Sequence, residues 1–124
     1  MARASFEAHP ELERGEEIPL EPNTTRTITL YKLKPGTDAG SLKLGPYGYG
    51  RNAIESYTQF KQLKDAGVIP KTTRFQFTIP GPGTSTFVLQ LPGERVLHLA
   101  REVIASELKE AAAHIPPEEL AVQI

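Results

Sequence analysis

Arg74-Phe75-Gln76-Phe77-Thr78-Ile79-Pro80-Gly81-Pro82-Gly83-Thr84 is the stretch whose reading decides the fold. Phe75, Phe77 and Ile79 alternate with Arg74, Gln76 and Thr78, the period of two of a strand. Aromatic and β-branched residues favour that state. Pro80 has no N–H to donate and ends the ladder. Gly81 and Gly83 permit positive φ or a close approach to another group, and Thr84 is placed to cap a following helical turn. The stretch therefore reads as a strand whose end presents a rigid loop.

Downstream, Glu94 to His114 is the longest helical pattern, with Leu97, Ala100, Ile104, Leu108, Ala111 and Ile115 on one face. Glu94 near its start and His114 near its end suit the helix dipole. Pro116-Pro117 stops it. Leu120-Ala121-Val122-Gln123-Ile124 reads as a second strand. A strand, a crossover helix and a second strand form a βαβ unit, so 74–79 and 120–124 are expected to be parallel neighbours with a right-handed crossover. Between Thr84 and Leu91 the pattern fits either a short helix or a loop.

Upstream, Asn52 to Ala66 reads as a helix with Asn52 as N-cap, an apolar stripe of Ile54, Tyr57, Phe60 and Leu63, and Gly67 at the C′ position. The loop before it, Gly45-Pro46-Tyr47-Gly48-Tyr49-Gly50, lacks the glycine spacing of a dinucleotide fingerprint. Thr25 to Leu33 reads as a strand. Lys34-Pro35-Gly36-Thr37-Asp38 is a turn, and Ser41 to Leu44 is a candidate hairpin partner. Residues 1–24 carry Glu7, Glu11, Glu13, Glu16, Glu17 and Glu21, three prolines and little periodicity. They are expected to form an irregular acidic arm with one short helical turn near Phe6 to Glu13. Lys32, Lys34, Lys43, Arg51, Lys61, Lys64, Lys71 and Arg74 make the middle basic; both charge runs read as solvated surface.

Bulk properties narrow the function. At 124 residues and 39% hydrophobic content the chain suits one domain. A net charge of −1 argues against a nucleic-acid partner. With no cysteine there is neither a disulfide nor a thiolate ligand, which fits a reducing, cytoplasmic setting. No stretch has the apolar length of a membrane span. His9, His98 and His114 fall in no ligand motif. Ser85 and Ser106 lack a nucleophile-elbow context. Glu102, Glu107 and Glu110 read as a solvated helix face rather than an acid–base pair.

Gly48-Tyr49 before a helix with Ser56-Tyr57 and Phe60, then Gly67-Val68-Ile69-Pro70, Arg74-Phe75-Gln76 with Pro80 and Pro82, and Leu120-Ala121-Val122-Gln123, together resemble one group of barrel proteins. These are uncharacterised relatives of cobalamin-independent methionine synthase, in the superfamily of uroporphyrinogen decarboxylase (UROD/MetE-like). The likeness runs from about Gly45 to Ile124 and includes no catalytic signature. It implies an α/β fold, an incomplete (β/α)8 TIM barrel from the N-terminal half, over residues 25–124 behind the arm of residues 1–24. A closed barrel needs about 250 residues. It implies a methyltransferase-type ancestry acting on a small molecule, with this chain inactive alone. Zinc in such a full-length relative is held by cysteine, histidine and glutamate, and no metal ligand or cofactor is carried onto this chain.

Barrel sites lie at the C-terminal ends of the strands. The resemblance therefore gathers Tyr47, Tyr49, Arg51, Pro80, Pro82 and Thr84 there, with Gln76, Thr78 and Gln123 facing the lumen. Tyr47, Tyr49, Arg51, Gln76, Thr78, Thr84 and Gln123 are the candidate substrate-binding residues. The rival expectation is a small non-enzymatic α/β interaction module that self-associates through open strand edges. The expected partners are accordingly a small-molecule ligand, and either a second copy or the remainder of the barrel.

Overall fold

A computed structural model describes residues 2–124. The chain is mixed α/β, in the order α1 (Ala2–Glu7), β1 (Leu12–Pro19), β2 (Thr27–Leu33), α2 (Tyr49–Asp65), β3 (Phe75–Thr78), a 3-10 helix (Pro82–Phe87), α3 (Gly93–His114) and β4 (Leu120–Gln123). The described residues form two separate two-stranded sheets, β1-β2 and β3-β4, and no closed barrel. Two compact units result: residues 1–47 with 82–103, and residues 48–81 with 104–124.

The first unit corrects the expected irregular arm. Residues 12–19 form a strand, antiparallel to β2 from Leu12↔Leu33 to Pro19↔Thr27, with an irregularity between Arg14 and Glu17. Glutamate-rich composition hid a strand that buries only Leu12 and leaves its later residues in water. The helical turn expected near Phe6 to Glu13 lies earlier, in α1. Ser41 to Leu44 forms no strand; β1 takes the place of that partner. On its other side β2 meets Leu89 in a parallel bridge, where Tyr31 N–H donates to the Val88 carbonyl (2.7 Å) and Gln90 N–H to that of Tyr31 (2.8 Å).

The buried apolar side chains of this unit are Phe6, Leu12, Tyr31, Leu42, Tyr47, Leu89, Val96, Leu99, Ala100 and Val103. The Phe6 ring lies 5.5 Å from that of Tyr31 and 5.6 Å, edge-on, from that of Tyr47, geometries that aromatic quadrupoles favour. Arg95 of α3 holds the loop of residues 39–42 by donating to the carbonyls of Ala39 (3.3 Å), Gly40 (2.9 Å) and Leu42 (3.2 Å).

In the second unit β3 and β4 are parallel, in register Phe75↔Leu120, Gln76↔Ala121, Phe77↔Val122 and Thr78↔Gln123, with α3 in the connection between them. The core is Ala53, Tyr57, Phe77, Ile79, Ile104, Ala111 and Ile115, flanked by Tyr49, Phe60, Phe75, Leu108 and Leu120. The inward stripe of α2 is therefore Gly50, Ala53, Tyr57 and Phe60 rather than one through Leu63, which is 46% exposed.

The helix also starts three residues before Asn52. Its N-cap is Gly48, at φ 91°, a left-handed conformation that glycine adopts without steric cost. Gly67, at φ 76°, follows the Ala66 cap, the C′ position expected of it.

Candidate functional site

Strand alternation places Gln76, Thr78 and Gln123 on one exposed face of the β3-β4 pair, opposite buried Phe77 and Ile79. The Gln76 amide nitrogen donates to the side-chain oxygen of Gln123 across the strands and to Thr78 Oγ1 at 3.3 Å. This juxtaposition follows from the parallel register, which sets Thr78 beside Gln123 and Gln76 one position back. The side chains of Gln76, Thr78 and Gln123 are neutral amides and a hydroxyl, which suit hydrogen bonding to a small polar molecule rather than proton transfer.

The remaining candidates are distributed differently. Tyr49 packs at the margin of the second unit's core, and Arg51 is exposed on the first turn of α2. Tyr47 and Thr84 belong to the first unit. Tyr47 is buried there against Phe6, with its hydroxyl 3.0 Å from Ser85 Oγ. Thr84 is exposed on the 3-10 helix. The structure thus joins Gln76, Thr78 and Gln123 through hydrogen bonds.

Two polar arrangements escaped the sequence reading. The expected solvated face of α3 holds a buried residue: Glu107 is 2% exposed. Its Oε1 accepts the Gly48 N–H at 2.8 Å and its Oε2 the Gly50 N–H at 3.1 Å. These are donors of the first turn of α2, which have no carbonyl partner within the helix. The carboxylate supplies from a distant element what an N-cap side chain would supply locally, and the macrodipole favours its charge there. A Cβ at Gly50 would lie 2.8 Å from the Glu107 carbonyl oxygen and 2.9 Å from Glu110 Oε2, so only glycine lets the backbones come this close. The signal available was that Glu107 continues the spacing of Val96, Leu99, Ala100, Val103 and Ile104 toward Ala111.

From the middle of α2, the Tyr57 hydroxyl donates to Glu119 Oε2 at 2.5 Å. Lys64 Nζ donates to Glu119 Oε1 and to the Thr73 carbonyl, both at 2.9 Å. The bond from Tyr57, and then that from Lys64, holds the Glu119 carboxyl below its usual range; the same carboxylate pushes the Tyr57 phenol up to about 12. This cluster fastens the end of α2 to the start of β4.

A cleft of about 280 Å³ in the first unit is lined by Phe6, Glu7, Leu12, Glu13, Arg14 and Tyr31. Glu7 there accepts from Arg3 Nε (2.9 Å) and from the Tyr31 hydroxyl (3.2 Å). The Arg3 bond lowers the Glu7 carboxyl, while burial and then Glu7 raise the Tyr31 phenol.

Among the described residues, no group of three or more His, Cys, Asp or Glu side chains is placed to hold a metal ion. His9 is engaged by backbone: its Nε2 lies 2.7 Å from the Lys43 carbonyl, and Nδ1 accepts the Glu11 N–H at 3.1 Å. No helix among these residues is long and apolar enough to cross a membrane. No family model, curated protein or solved structure compared with this chain matches it.

Proposed function

We propose that the second unit is a segment of an incomplete (β/α)8 barrel of the kind found in relatives of cobalamin-independent methionine synthase. In this reading it lends a polar sheet face to a small-molecule site that further strands complete. The supporting observation is the separation of faces on two parallel strands: Phe77 and Ile79 are buried, while Gln76, Thr78 and Gln123 form one hydrogen-bonded polar face. Parallel strands covered on both faces are apolar on both. Polar alternation on neighbouring strands suits a lumen that holds ligand or water.

The role of the chain is then to orient a substrate through neutral hydrogen bonds, in a methyltransferase-type reaction that it does not perform alone. A zinc centre that draws on cysteine finds no such donor here, and no step in this chain is assigned to a metal. A cytoplasmic setting belongs to the same proposal.

The test is an amide chemical-shift titration of the chain with homocysteine, which is methionine without its methyl group. Shifts centred on Gln76, Thr78 and Gln123 and abolished by Gln76→Leu support the reading. Shifts confined to the cleft at Phe6, Glu7 and Tyr31, or none at millimolar ligand, overturn it.

A further inference from the structure

The strand edges of this protein are unequally protected. An unpaired edge offers free N–H and C=O groups, and proteins blunt it with charges, proline or a bulge. β1 has all three: Glu13, Arg14, Glu16 and Glu17, an irregularity between Arg14 and Glu17, and Pro19. β3 is bracketed by Arg74 and Pro80, and its apolar Phe77 and Ile79 are buried. β4 has none of these devices. Leu120 to Ile124 contains no charge and no proline, and Val122 and Ile124 are 48% and 69% exposed. Among the described residues β4 pairs only with β3.

The backbone fixes which β4 groups face outward. Phe75 N–H donates to the Glu119 carbonyl and Ile79 N–H to the Gln123 carbonyl, so the carbonyls of alternate residues 119, 121 and 123 face β3. The N–H and C=O of Val122 therefore point to the open side.

We infer that β4 is a self-pairing edge, which binds β4 of a second copy of this chain antiparallel about Val122. A two-fold axis normal to the sheet keeps each face on its own side, so paired residues must have the same parity. Centring on Val122 satisfies this. It sets Val122 against Val122 of the copy, Leu120 against Ile124 and Ala121 against Gln123. Each exposed apolar side chain meets an apolar one, and Val122 exchanges both backbone hydrogen bonds with its counterpart.

Centring on Ala121 is the other same-face register near the strand's middle. It leaves Ile124 unmatched and brings Gln123 onto Glu119, which Tyr57 and Lys64 already occupy. The Val122 register joins β3-β4 and its copy into one four-stranded sheet. No ligand is needed for this pairing, and because the two-fold axis keeps each face on its own side it leaves the polar face of Gln76, Thr78 and Gln123 uncovered.

The chain has no cysteine, so single substitutions read the register directly. A hydrogen-bonded antiparallel pair sets Cα atoms about 5.5 Å apart, within the range a disulfide spans. Ile124 and its own counterpart would be about 14 Å apart, at roughly 3.4 Å per residue.

Sedimentation of the wild-type chain at micromolar concentration is expected to show a dimer whose fraction rises with concentration. Val122→Lys is expected to reduce it at least tenfold. Under mild oxidant Val122→Cys is expected to cross-link as a dimer, and Ile124→Cys is not. A wild-type monomer across this range overturns the proposal. So does a dimer that survives Val122→Lys, or one that cross-links through Ile124→Cys or Ala121→Cys instead of Val122→Cys. An unaltered chemical-shift response to homocysteine in Val122→Lys would leave the small-molecule reading standing when pairing fails.

Discussion

Glu107 and Gly48, fifty-nine positions apart, are joined by a 2.8 Å hydrogen bond from the Gly48 N–H to the Glu107 carboxylate. A second bond from Gly50 N–H to the other carboxylate oxygen makes Glu107 the distant cap of α2. The sequence offers α2 no capping side chain at this position, because Gly48 is the N-cap.

Glu107→Ala is expected to destabilise the chain by about 3 kcal/mol, since it removes a charged acceptor and leaves two N–H groups without it. Glu107→Gln, which keeps one acceptor oxygen, should cost less. Gly50→Ala should also destabilise, by about 1–3 kcal/mol, because the added methyl meets backbone. Urea denaturation of the three variants checks this; a Glu107→Ala midpoint equal to wild type would refute the capping role.

The Tyr57–Glu119–Lys64 cluster predicts two limbs of pH dependence. The Glu119 carboxyl is lowered on folding, so its contribution is present above the unfolded carboxyl pKa near 4.3 and fades as pH falls through the lower folded value. Tyr57 is raised to about 12, so its contribution is whole below the unfolded phenol value near 10 and is lost as pH rises through about 12. Tyr57→Phe should cost about 1 kcal/mol at pH 7 and flatten the alkaline limb. Denaturant midpoints measured from pH 3 to 11.5 in both proteins provide the comparison.

Arg95→Met should loosen the loop of residues 39–42, because the guanidinium donates to three carbonyls there. A loss of about 2 kcal/mol is expected for bonds from a charged donor. Faster amide exchange at Gly40 and Ser41, with little change in α2, is the local signature; equal exchange would mean that Arg95 does not hold the loop.

Gln76→Leu should leave stability within about 0.5 kcal/mol of wild type, since Gln76 is exposed and its partners Thr78 and Gln123 are exposed as well. A much larger loss would show that the amide pair serves the fold rather than presenting a binding face.

The sequence by itself determined those features whose signal is local. Alternation through Phe75, Phe77 and Ile79 marks β3, and Pro116-Pro117 ends α3. The β-α-β order then requires a crossover between parallel strands, and β3 and β4 are parallel. The shared face of Gln76, Thr78 and Gln123 was legible for the same reason: a period of two fixes which side chains lie together once strands and register are known.

What only the tertiary structure decided depends on partners distant in the chain. Leu12 to Pro19 is a strand because β2 supplies its ladder, although its glutamates resemble a solvated arm. Tyr47 is buried because Phe6 packs against it in the first unit. Glu107 leaves the solvent because Gly48 and Gly50 turn two N–H groups toward it. A carboxylate on a helix has the same local sequence whether it faces water or caps another helix. Burial is settled by the hydrogen bonds that compensate its desolvation, and those come from residues more than fifty positions away.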